Sequence, residues 1–479
     1  MTPTSQTLAR TIASIAFAAA VACANGSGVE TASPPADLVL RDVTVFDPRD
    51  RVALVGRTVV VEDGRISAVL AAGASVPEAR RTIRGRGRLL TPGLVDVHSH
   101  VAYVLGDSIS AGGGFIARLS MYPDSIAAYR SRFAEAYLPY GVTTVRDAGS
   151  DERQLPLLAA WMARSPDAPD FWPVAGALVS HEEGREPYPG HAVVTDPEDA
   201  RRKVRAYHDA GLRHVKLYWR LREPEFVAAL EEARRLGMGV TGHIDFRVLG
   251  FERALDLGLR SFEHAYTVAV GALTEEQFLA AWREELPRVV GDEQRGRFYL
   301  GVMAYMHVLG RENPEVERLI ERLAATNSTV VPTLHLFAQR LGLSPHVTPP
   351  IASFDDLTWL EADQRAWAVA GYRIMAEHVG LMWEAGIPLA VGTDWAEPGP
   401  AVLSEIALLH DAGIPMPDSL AIATLGGAAA IGLESEIGVI EPGYRANLVL
   451  WEDDPLAAPN ALFGGRTVIK DGVVWGGGA

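Results

Sequence analysis

The sequence holds one cysteine, Cys23, in 479 residues. That scarcity excludes an intrachain disulfide and a cysteine-built zinc site. A basic excess is missing too: 44 Lys and Arg stand against 60 Asp and Glu, a formal net charge of −16. Such a chain is ill suited to a nucleic-acid backbone, and its acidity speaks for solubility rather than for a substrate. The 46 glycines and 30 prolines fall short of low-complexity composition. Long hydrophobic runs are lacking as well. The uncharged stretch from Ile12 to Ala22 is too short to span a bilayer. What is present is an ordinary globular balance, 48% hydrophobic and 22% charged. It suffices for a sizeable core, and the length suits about three average domains or one large barrel with an attachment.

The short apolar run has the proportions of a signal-peptide core, with Arg10 ahead of it and Cys23 directly behind. Ala20-Val21-Ala22-Cys23 resembles a bacterial lipobox, whose cysteine becomes the lipidated first residue of the mature chain. Ala22-Cys23-Ala24 also reads as a plain cleavage site. Residues 1–23 are therefore expected to direct export to the cell envelope, periplasmic or lipid-anchored, and residues 24–36 to form a tether. Short strands are expected at Leu38–Asp47 and Thr58–Ser67, with a turn at Asp63-Gly64. They recur at Ala446–Trp451 and Arg466–Trp475, with a turn at Asp471-Gly472. Each end is too small to bury a core alone, so residues 37–90 and 436–479 are expected to build one composite β-sandwich domain.

Between them, residues 91–435 alternate strand-like and amphipathic segments. The strands fall at Leu94–His98, Val142–Arg146, Val174–Val179, His214–Tyr218, Gly239–His243, Arg260–His264, Thr329–Thr333 and Leu389–Asp394. Eight strands with helices between them predict an α/β fold of the (β/α)8 TIM-barrel type. After the fourth strand, Pro224 opens a helix, Phe226, Val227, Leu230 and Ala233 form its apolar stripe, and Gly237 stops it. The intervals Val101–Tyr140 and Thr267–Ser328 are oversized, helix-rich and placed to roof the mouth.

In such a barrel the chemistry sits at the C-terminal ends of the strands. The first strand ends in His98-Ser99-His100, and strand alternation points both imidazoles to one side, where they can share an ion. The fourth ends with Lys216, the fifth with His243, the sixth with His264 and the eighth with Asp394. Thirteen histidines placed at random would rarely gather this way.

These residues resemble the amidohydrolase superfamily. Thr91-Pro92-Gly93-Leu94-Val95-Asp96-Val97-His98-Ser99-His100 is similar to its opening motif, and Gly141–Asp147, Gly392-Thr393-Asp394 and Gly438–Pro455 are similar to further family segments. Asn447 departs from the Asp common in the last of these, away from the catalytic set. The resemblance implies two divalent ions, with zinc foremost and manganese, iron or cobalt alternatives. His98, His100 and Asp394 would hold one, His243 and His264 the other, and Lys216, carbamylated by CO2, would bridge them. A hydroxide shared by the ions would attack a polarised carbonyl, with Asp394 taking its proton and delivering it to the leaving nitrogen. Lys216 as an ordinary ion-paired lysine, with a single metal, is the alternative.

Tyr218 and Arg220 continue the alternation of Lys216, and Arg220 could grip a substrate carboxylate. Pro189-Gly190-His191 resembles the segment by which prolidase-like members contact substrate through the histidine. His181, His335 and Trp395 are read as packing, and His208, His214, His307, His346, His378 and His410 as structural or exposed. The expected activity is hydrolysis of amide C–N bonds in dipeptides or in N-acyl or aryl-amide amino acids, with esters and lactones as alternatives. A mononuclear deaminase or cyclic amidase is a second reading. Phe246, where superfamily deaminases carry Glu, counts against deamination. A solute-binding lipoprotein is the non-enzymatic reading. The only expected partners are a small-molecule substrate, the membrane through a lipid on Cys23, and further copies of the chain.

Overall fold

The computed structural model describes residues 34–101, 104, 125–184, 190–244, 248–290, 296–345, 357–395 and 397–476. The expected leader, the tether up to residue 33, Pro189, Phe246 and His346 lie outside the described residues.

The chain enters through β1 (Ala36–Asp47), β2 (Val52–Glu62), β3 (Arg65–Leu70), β4 (Ala79–Arg84) and β5 (Leu89–Pro92). Asp63 and Gly64, with φ of 50° and 72°, close the β2–β3 hairpin in the left-handed geometry that matches strand twist. Alternation along β1 is plain: Leu38 and Leu40 join one buried cluster and Val39 another, on opposite faces.

The middle of the chain supplies β6 (Leu94–Ser99), β7 (Val142–Asp147), β8 (Asp170–Pro173), β9 (Ala177–Ser180), β10 (His191–Val194), β11 (His214–Tyr218), β12 (Gly239–His243), β13 (Ser261–Glu263) and β14 (Thr329–Val331). All pair in parallel, in two sheets ordered β6-β7-β8 and β10-β9-β11-β12-β13-β14. Two expectations are corrected here. The third strand is broken: β8 pairs with β7 and β9 with β11, and the chain changes partner around Ala175, whose φ is 33°. The eighth, residues 389–394, forms no regular strand. Pro388, Gly392 and the left-handed φ of 47° at Asp394 interrupt the ladder. This segment still touches both sheets, since Ala390 donates to the Val330 carbonyl at 3.2 Å and the Val391 carbonyl accepts from Val97 at 2.9 Å.

The helix after β11, α1 (Glu223–Arg235), has Pro224 in its first turn and buries Phe226, Leu230 and Ala233, with Gly237 in left-handed geometry just past its end. The interval after β13 is helix-rich, as expected, and includes α2 (Arg297–Leu309). Two helices matter below: α3 (Leu334–Ala338), directly after β14, and α4 (Pro398–Asp411).

The C-terminal strands β15 (Leu448–Trp451), β16 (Arg466–Lys470) and β17 (Val473–Val474) return to the beginning. Leu450 of β15 pairs with Leu90 of β5, so both ends share one sheet of order β17-β16-β15-β5-β1-β2-β3, with β4 also on β1. The expected two-sheet sandwich is therefore one branched sheet. It forks where β1 gives its edge first to β4 and then, past Asp42, to β5. The charged face of β4 and the brevity of β5 hide both strands from a period-two reading.

Candidate active site

The ends of β6, β11, β12 and β13 and the 392–394 turn meet in one buried pocket of imidazoles. His98 on β6 and His100, just past its end, both face Asp394: His98 Nε2 lies 3.9 Å and His100 Nε2 3.3 Å from its carboxylate. His264 Nε2 lies 3.9 Å from the same group. The donor atoms of His98, His100 and Asp394 fall within 4.8 Å of one another, a spacing that could hold a metal ion. His243 packs on His264 with ring centroids 4.6 Å apart, and Lys216 Nζ sits 3.4 Å from His98 Nε2. His98, His100, Lys216, His243, His264 and Asp394 are thus brought together.

Each ring is aimed by a partner on its other nitrogen. His98 Nδ1 meets the Glu263 carboxylate at 2.6 Å, His100 Nδ1 the Gly149 carbonyl at 3.0 Å, and His264 Nδ1 the Thr333 hydroxyl at 2.8 Å. That arrangement leaves Nε2 of these three rings facing inward, as metal-ligating histidines require. His243 Nε2 meets the Tyr266 hydroxyl at 2.7 Å. Glu263 is in turn held by Arg146 Nη2 at 2.5 Å and by the Thr241 hydroxyl. Asp96, beneath the turn, accepts from the Thr393 hydroxyl at 2.8 Å and from the His98 backbone at 3.1 Å.

Backbone strain gathers here. His264, Thr333 and Asp394 all have positive φ, of 68°, 53° and 47°. Such conformations cost about 1–3 kcal/mol each and persist where the surroundings over-determine them. At His264 the consequence is visible: consecutive residues of a regular strand point oppositely, yet both Glu263 and His264 reach His98. Gly392 is needed for closeness, because a Cβ there would stand 2.5 Å from side-chain carbons of both His98 and Val331.

Burial also sets the charge states. It drives His100 and His243 down to about 3 and holds His98 and His264 well below the ordinary value, so the four rings are neutral, each with one unprotonated nitrogen. Burial lowers Lys216 as well, favouring the neutral amine that carbamylation by CO2 needs. Asp394 is pushed up to about 7 by the same desolvation, against the pull of Lys216 and Arg340. The donor set is therefore chemically suited to divalent cations.

Tyr218 and His191 flank the cluster, with Tyr218 ring-to-ring at 4.9 Å from His243 and 4.8 Å from His191. Arg220 is held by Glu182, with Nε donating at 2.6 Å. His335 and Trp395 pack edge to face at 5.9 Å. Sequence reasoning missed Glu263, Arg146, Asp96, Tyr266 and Arg340. Asp96 and Arg146 stand inside the recognised segments, and the signal for them was inward alternation of a charge in a buried strand; Glu263 gave no such signal, because alternation sets it opposite His264.

The fold and the site define a chain of the amidohydrolase family: the family profile of that description matches residues 89–476, and the protein belongs to it. It is similar to the imidazolonepropionase of Polaromonas sp. (strain JS666), 24% identical over 446 residues, covering 87% of this chain and 88% of that protein. A local match to the imidazolonepropionase of Rhizorhabdus wittichii is 37% identical over 73 residues, 14% of this chain, and spans only 18% of that protein's length. Among solved structures, a prolidase complexed with N-methylphosphonate-L-proline superposes with a TM-score of 0.63 at 20% identity, covering 91% of this chain and 98% of that one.

Proposed function

We propose that the protein is a metal-dependent hydrolase of amide C–N bonds in small substrates carrying a carboxylate, of the dipeptide or N-acyl amino acid kind. The observation that carries this reading is the buried cluster of neutral imidazoles around Asp394, with Lys216 against His98. His98, His100 and Asp394 would hold one divalent ion, and His243 and His264 a second, with carbamylated Lys216 between them. Divalent ions held there would supply an activated water and a Lewis-acid contact for the substrate carbonyl. Asp394 would take the proton released from that water and carry it to the leaving nitrogen. Glu263 and Thr333 keep the rings in one tautomer and orientation. Tyr218 and His191, which flank the cluster, would bind the amide. The prolidase neighbour, with its phosphonate-L-proline ligand, supports a peptide-like substrate.

We read the two parallel sheets as parts of a (β/α)8 barrel, with residues 389–394, though not a regular strand, standing in the place of the eighth. The chain is exported to a bacterial envelope through its first 23 residues.

Asp394→Asn is expected to keep much of the bound metal and lose turnover by a factor of at least about 10². Metal content per chain and the rate of amine release, measured on one preparation, check this. Undiminished turnover would remove Asp394 from proton transfer.

A further inference from the structure

Arg340 lies two residues past α3, above the C-terminal end of β14 and so on the active-site face. Its guanidinium is framed by two rings, 3.8 Å from the centroid of Tyr299 on α2 and 4.7 Å from that of Trp395, the residue after Asp394. Nη1 donates to the Leu336 carbonyl at 2.6 Å, while the buried Nε has no hydrogen-bond partner. No carboxylate among the described residues pairs with it, and the ring it stands on at Trp395 belongs to the neighbour of Asp394 in the chain. Arg220, the other cation near the mouth, is already engaged by Glu182. A cation fixed between aromatic faces, with an N–H to spare and one of its rings next in the chain to Asp394, is set up for a planar anion.

We propose that Arg340 anchors the substrate carboxylate, Tyr299 and Trp395 fixing the plane of its fork. The inference rests on the amide-hydrolase reading and deepens it: the substrate is an acid, and its charged end lies on the Trp395 side of the pocket. Lysine cannot replace the fork, because it offers a point charge without planar geometry.

The test uses N-acetyl-L-phenylalanine and its carboxamide, which differ only in the charge. Binding to the metal-loaded protein is measured by calorimetry, and amine release is followed in parallel. The native protein should favour the acid at least about tenfold. Arg340→Met should weaken the acid about 10–100-fold, the range of a charge-assisted hydrogen bond, and leave the carboxamide within about threefold. Arg340→Lys should recover only part of the loss. Equal losses for acid and carboxamide, no preference for the acid in the native protein, or loss of that preference in Arg220→Met instead would each overturn the assignment. Calorimetry reads the preference without turnover, so a protein that releases no amine sinks the hydrolase reading while the Arg340 assignment is still judged.

Discussion

At the scale of single residues, the site depends on groups that never touch substrate. Glu263 is fully buried, aims His98, and has its charge matched by Arg146. Glu263→Gln keeps the shape but removes the anion that fixes the His98 tautomer. It is predicted to lower metal affinity or turnover about 10–100-fold. Metal titration followed by calorimetry checks it, and native affinity in the variant would contradict the positioning role. Much of this site was legible beforehand. The spacing of His98 and His100 and the strand-end places of Lys216, His243, His264 and Asp394 marked the six residues that the fold brings together, while their roles as ligands came from the resemblance. Glu263 was not legible, because alternation assigns it the face opposite to His264 and only the positive φ of His264 brings both inward.

At the scale of elements, the strands that a periodic pattern can reveal matched their predicted spans, and β11 and β12 did so to the residue. The departures have local causes. The third strand changes partner midway, and residues 389–394 spend their backbone on the strained turn that delivers Asp394. After that turn comes α4, whose Glu405 receives the backbone N–H groups of Leu334 and His335 at 2.9 and 2.6 Å and so ties α3 to α4. Burial raises this carboxyl from 4.5 to about 8, outweighing the two donors that favour its charged form. The folded chain thus holds the proton more tightly than the unfolded one. This contribution to stability is complete below about pH 4.5 and is lost as pH rises through about 8. Glu405→Gln cannot ionise, so its denaturation midpoint is predicted to vary less with pH across that window. An unchanged pH slope would show that Glu405 is ionised throughout.

At the scale of the whole molecule, the sheet built from both chain ends is fastened to the strands of the middle by buried charge. Lys470 of β16 is fully buried, with Nζ 3.2 Å from Asp170 of β8 and also bound to Asp471. Removing one member strands the others without water. Lys470→Ala is therefore predicted to cost about 3–5 kcal/mol, read as a lower urea midpoint at unchanged slope. A cost below about 1 kcal/mol would place the pair among surface-like bridges. The pairing of the two ends could be argued from their size alone. The branched order of the sheet could not, because it turns on β4 and β5, whose sequences carry little alternation.

We propose amide hydrolysis by metals held at Asp394, Lys216 and the four histidines. Its most direct test incubates the purified protein, supplied with bicarbonate and zinc or manganese, with pooled dipeptides, N-acyl amino acids and aryl amides, and follows new free amines by mass spectrometry. Amine release is expected from at least one carboxylate-bearing pool and is abolished in both Lys216→Ala and Asp394→Asn. Release that persists in both variants, or no release from any pool, would contradict it.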